Sequence, residues 1–207
     1  MGTMSFEAVS STPARTRSVV IGAAIWLAIV AGVSFAGIPQ KLTPPGPQIV
    51  LLVLTVALIL LGRLLSSFRS WIASVDLRVL VGVHVIRALA GAALLWAASH
   101  TSLSPEFARM AGYGDIIVAL IALAAIIWIS PDRNDAPLLY VIWNTLGLID
   151  IMLVVATAAR TAMNDPSSMR ALVQPPLALL PLFLVPIVIA SHIWIFERLL
   201  KRVGIGN

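Results

Sequence analysis

The chain has no cysteine, which excludes disulfides, thiolate metal sites and cysteine nucleophiles. It also has little charge. Only 11% of its residues are Asp, Glu, Lys or Arg, against roughly 25% in soluble domains, and a surface facing water needs more than that. An aqueous globule is therefore excluded. Histidine is scarce, with 3 in 207 residues, so no His-rich oxygenase box exists. Gly-x-Ser-x-Gly, P-loop and HExxH patterns are missing as well.

Apolar sequence fills the space that charge leaves. The chain is 59% hydrophobic with a mean hydropathy of +0.99, the composition of an integral membrane protein. The net charge of +5 and pI near 10.7 point away from nucleic acid once positions are considered. The basic residues stand singly or in small groups at the ends of apolar runs, a pattern set by orientation in a lipid bilayer rather than by phosphate tracking.

The expected fold is all-α, a polytopic transmembrane bundle of about six spans. Residues 1–17 read as a mobile cytoplasmic tail ending in Arg15 and Arg17. The domain proper covers 18–202, with spans near 18–38, 48–65, 77–98, 112–129, 136–159 and 175–196, and 203–207 form a second short tail. Each run approaches the roughly 20 residues that a hydrocarbon core demands. Ser34-Phe35-Ala36 resembles a signal-peptidase site, but the run before it is longer than a usual h-region, and an uncleaved first span is expected. The Pro-rich stretch 39–47 cannot continue a helix.

Lys/Arg asymmetry sets the expected orientation. Arg15, Arg17, Arg63, Arg69, Arg78, Arg133, Arg198, Lys201 and Arg202 fall on one side, while only Lys41, Arg109, Arg160 and Arg170 fall on the other. The richer side faces the cytoplasm, so both termini are expected inside a cytoplasmic membrane.

The third run, RVLVGVHVIRALAGAALLW at 78–96, carries His84 and Arg87 near its middle. An ionisable group in hydrocarbon costs about 2.5–3.5 kcal/mol on insertion scales, so such groups turn inward and find partners. At about 1.5 Å rise per residue, His84, Asn144 and His192 fall at similar depth on three spans. Arg87 and Asp150 share the next layer, the obvious charge pair. Asp115, three residues into the fourth run, is placed shallow, within about 5 Å of the outer edge. These six residues are the candidate ligand or proton site. Buried Arg–Asp and His–Asn bonds also serve simply as interhelical glue, worth about 0.6 kcal/mol each on average.

Four chemistries suit such a cluster. Binding or translocation of a small polar or anionic ligand, or of protons, is the favoured one, with Arg87 as fixed charge and Asp150 as counter-ion. Pro175, Pro176, Pro181 and Pro186 would break the sixth span and free carbonyls toward a cavity. Six spans are few for a carrier, which points to a homo-oligomer in that case. Alternatively, His84 and His192 could clamp a haem b iron or bind another metal. A membrane enzyme acting on a lipid-like substrate, with a histidine as acid or base, is a third reading.

The fourth rests on Gly112-Tyr113-Gly114-Asp115. This resembles the Gly-x-Gly-Asp motif of intramembrane aspartyl proteases of the presenilin and prepilin-peptidase type, which implies a second aspartate, here Asp150. The order departs from that family, in which the partner precedes the motif, and a shallow Asp115 need not meet a deep Asp150. More broadly, Gly112-Tyr113-Gly114-Asp115, the run Trp143-Asn144 to Gly147 and Asp150, and Pro181, Pro186 and His192 together resemble small uncharacterised bacterial multi-spanning proteins. That likeness implies an inner-membrane setting and no activity.

Overall fold

The structure, a computed structural model, describes residues 7–129 and 136–203, with side chains for 15–129 and 136–200. Residues 1–6 of the expected N-terminal tail, the turn at 130–135 with its Arg133, and tail residues 204–207 lie outside the described residues. Among the described residues the fold is all-helical: α1 Glu7–Phe35, α2 Gly46–Leu64, α3 Ser66–Ser74, α4 Leu77–Gly82, α5 Arg87–His100, α6 Pro105–Trp128, α7 Ala136–Asn164 and α8 Val185–Val203.

Six helical stretches are long and apolar enough to cross a bilayer: Arg15–Phe35, Gly46–Leu64, Leu77–His100, Pro105–Trp128, Ala136–Asn164 and Leu180–Leu200. The third is α4 and α5 joined by a 3₁₀ turn, Val83–Ile86, the tighter geometry that often marks a functional point inside a helix. The sixth enters α8 through one π-helical turn, Leu180–Leu184. Pro186 has no N–H to donate and its ring crowds the carbonyl four residues back; a widened turn accommodates both. Before it, Pro166–Val173 forms a 3₁₀ segment, so 175–179 are not part of the spanning helix.

Local chemistry fixes the other ends. Gly37, at φ 74°, closes α1: its N–H bonds Ser34 O at 3.1 Å and that of Ile38 bonds Val33 O at 3.2 Å, the paired bonds that need a left-handed residue. Asp76 caps α4 by accepting from Arg78 N at 2.8 Å.

Two helix starts come well before the sequence-based expectation. α1 begins at Glu7, so residues 7–17, expected as a tail, are helical: extending a helix already nucleated by an apolar span fixes one residue per added bond. α6 begins at Pro105 rather than near 112. Glu106 and Arg109 make 105–111 look like a loop, but Ser104 Oγ accepts from Phe107 N at 3.3 Å, Pro105 occupies the first turn and Glu106 complements the helix dipole there.

The inner spans form the core. α5 and α6 come close where Gly91 meets Gly112: a Cβ on Gly112 would come within 2.9 Å of Gly91 O and 2.7 Å of Leu95 Cγ. Alanines continue that interface, with Ala97, Ala108, Ala111 and Ala122 all fully buried. α1 lies on the periphery, touching the bundle through Trp26, whose ring stands edge-on to Phe183 at 4.9 Å. α2 packs on α8, where Gly62 leaves room for the Trp194 indole. Ile25, Ile29, Leu52 and Val53 on these two helices are exposed, as lipid-facing residues are.

Candidate functional site

The earlier start of α6 decides the geometry of the site. Ten residues into that helix, Asp115 lies about 15 Å along it instead of at its mouth. It therefore reaches the level of Arg87, the first residue of α5. Arg87 Nε donates to Asp115 Oδ1 at 2.7 Å, Nη1 donates to Gly147 O at 3.2 Å, and Nη2 donates to Asp150 Oδ2. Asp115, expected to be shallow with no need to meet Asp150, thus shares the Arg87 guanidinium with it. One guanidinium joins three helices, α5, α6 and α7.

Burial is severe. The Arg87 side chain is 1% exposed, that of Asp115 8% and that of Asp150 22%. Glycines make the space for it. A Cβ on Gly114 would overlap the Asp150 carboxylate, so Gly112-Tyr113-Gly114-Asp115 serves as a packing element: its first glycine admits α5, its second admits Asp150, and its aspartate meets Arg87. Two carboxylates that each accept from one guanidinium differ from the proton-sharing dyad of an aspartyl protease.

A neutral polar layer lies beside the triad. Asn144 Nδ2 donates to the His192 carbonyl at 3.0 Å, and only the amide nitrogen can do so. Its Oδ1 therefore faces His192 Nδ1 at 2.8 Å and accepts from it, which leaves Nε2 of a neutral imidazole as a bare acceptor. Ser191 Oγ donates to Val188 O at 2.9 Å and so accepts from His84 Nε2 at 3.0 Å, leaving His84 Nδ1 bare. Neither His84 Nδ1 nor His192 Nε2 has a hydrogen-bond partner among the described residues. The rings lie 4.1 Å apart, and Trp143 stands edge-on to His84 at 5.0 Å. Gly147 links the two layers: its carbonyl receives Arg87, and a Cβ there would sit 2.7 Å from His192 Cε1. His100, the third histidine, is exposed at the end of α5, stacked on Trp96 at 4.4 Å.

This histidine pair does not fit a haem. An iron clamped between two imidazoles needs a bond of about 2 Å on each side with the porphyrin in the gap, whereas these ring centres are only 4.1 Å apart. Nor does any group of three or more His, Cys, Asp or Glu side chains form a metal site among the described residues.

A cavity of about 510 Å³ lies between α2, α5, α6, α7, α8 and the segments at 40–47 and 166–184. Arg87 and Asp115 reach it; Leu94, Phe107, Val154 and Val188 are among its apolar walls. His84, Asn144 and His192 are not among its lining residues, so the two layers differ in access. Gln40 and Gln48 also line it, and neither their role nor that of Ser191 was read from sequence. A lone glutamine at the head of an apolar run, and a serine beside a mid-span histidine, are the signals that mark them.

A family described as a domain of unknown function (DUF8737) matches residues 44–200, most of the chain. No curated protein and no solved structure matches.

Proposed function

We propose that this protein, which belongs to the DUF8737 family, takes a small ligand into its bundle cavity and exchanges a proton at the Asp115–Arg87–Asp150 triad. The setting would be a bacterial cytoplasmic membrane with both termini inside, so that the cavity, on the side of the 36–45 and 165–179 connections, opens toward the outer face. Nine basic residues against four support that orientation.

The observation that carries the reading is one buried guanidinium held between two carboxylates at the end of a cavity. Three charges sum to −1 when both carboxylates are ionised and to zero when one holds a proton. A net charge in a low-dielectric bundle is costly, so a proton or a bound cation balances it. Interhelical glue needs no such surplus: one carboxylate would neutralise Arg87. Nor does glue need a 510 Å³ void beside it, because membrane helices associate through close packing.

Native mass spectrometry of protein released from detergent tests the cavity. Ala158 lines it, whereas Leu153, on the same helix, is 57% exposed. A small-molecule adduct should be present in the wild type and in Leu153→Phe, and lost in Ala158→Phe. Identical spectra for all three proteins would overturn the reading.

A further inference from the structure

We infer that the ligand is a hydrogen-bond donor with an apolar body, best an organic ammonium, and not an anion; this rests on the cavity being a ligand site. Arg87 alone would favour an anion. Its charge is already met twice over, by Asp115 and by Asp150, and a third of its contacts goes to the Gly147 carbonyl. The donors that an anion needs are largely spent.

The free polar atoms are acceptors. Arg87 engages Oδ1 of Asp115 and Oδ2 of Asp150; Asp115 lines the cavity and its second oxygen has no donor among the described residues, while Oδ1 of Asp150 lies against Gly114. Gln40 and Gln48, both lining the cavity, each have a side-chain oxygen that is shielded from solvent and unpartnered. Gln40 Nε2 lies 3.5 Å from Ser34 O, a long contact for a hydrogen bond. Buried acceptors without donors are costly, and a ligand carrying N–H groups relieves that cost.

Charge agrees with hydrogen bonding. The triad is one unit negative unless a proton neutralises it, and an ammonium can take the place of that proton. In the exchange, a neutral triad holding one carboxyl proton binds R–NH₃⁺, releases H⁺ and stays neutral overall; no bond other than O–H is broken. Arg170, the other cation lining the cavity, is solvent-exposed and screened by water and salt. Thr43, also in the lining, is a hydroxyl that suits either partner, whereas the Ser167 hydroxyl already donates to Asp165 at 2.6 Å. The remaining walls are aliphatic and aromatic, which fits an apolar body.

Three matched probes separate the possibilities: hexylamine, hexanol and hexanoate, read by thermal stability of the detergent-purified full chain. Hexylamine should bind the wild type about tenfold or more tighter than hexanoate. It should release protons in weak buffer, and lose its advantage in Asp115→Asn and in Gln48→Leu, the second variant leaving the triad whole. Ala158→Phe should abolish the response to all three. Hexanoate binding as well as or better than hexylamine, with the response still lost in Ala158→Phe, overturns the inference and leaves the cavity a ligand site. No response from any probe, or a response that survives in Ala158→Phe, overturns both.

Discussion

Asp115 and Asp150 stand on adjacent helices and meet through one guanidinium, that of Arg87, with Nε on the first and Nη2 on the second. Each carboxylate ties a different helix to α5, although one alone would neutralise Arg87. Deleting the shared cation leaves the buried Asp115 and the half-buried Asp150 without their partner. Arg87→Met should therefore destabilise the protein by about 3–5 kcal/mol, the cost of breaking a buried ion pair from one side. Adding Asp115→Asn and Asp150→Asn to it should restore part of that loss. Thermal unfolding in detergent checks both, and an Arg87→Met protein as stable as wild type would show that the triad carries no such energy.

Gly114 and Gly147 are held by space, not by backbone conformation. A methyl on Gly114 collides with the Asp150 carboxylate, and one on Gly147 comes 2.7 Å from His192. Gly114→Ala and Gly147→Ala should each cost about 1–3 kcal/mol through overpacking. Gly32, where nothing lies within 4 Å, is the matched control: Gly32→Ala should be neutral or slightly stabilising. Equal melting temperatures for all three variants would contradict the close approach at both sites.

Outside the membrane-spanning helices, Asp165 sets a pH dependence of its own. It caps the Pro166–Val173 segment, accepting from Ser167 Oγ at 2.6 Å and Ser167 N at 3.1 Å. The Ser167 hydroxyl, above all, holds its carboxyl below the usual range. A folded value below the unfolded one means that the cap is fully present above the unfolded carboxylate range and is lost as pH falls through the folded value. Hydrogen exchange in residues 167–173, corrected for intrinsic rates, should accelerate as pH drops from neutral to about 3. Asp165→Asn, which keeps the acceptor without the titration, should remove that acceleration, and an acceleration that persists in it would assign the effect elsewhere.

The spans were legible because period and length leave few alternatives for runs as apolar as 48–65 or 136–159. Depth arithmetic along three spans placed His84, Asn144 and His192 in one layer, and in the structure His192 touches both of the others. The same arithmetic misplaced Asp115, since its origin was wrong: Glu106 and Arg109 suggest a polar loop, while Ser104 and Pro105 start a helix there. An error of seven residues in a helix start is about 10 Å of depth, enough to hide the second carboxylate and with it the charge surplus. The cavity was not legible at all. It depends on where the 3₁₀ segment at 166–173 folds back over the bundle, which no periodicity encodes. The role of Ser191 comes from a tautomer, fixed only once Val188 O and His84 are both in reach.

Infrared difference spectroscopy of the carboxyl C=O stretch, recorded between alkaline and acid pH on the wild type and on Asp115→Asn and Asp150→Asn, tests the central claim most directly. The account predicts a protonated-carboxyl band that titrates, shifts in D₂O, and is lost or displaced in either variant. A triad that yields no titrating band while the fold persists would be a fixed ion pair, and proton exchange at Asp115–Arg87–Asp150 would be contradicted.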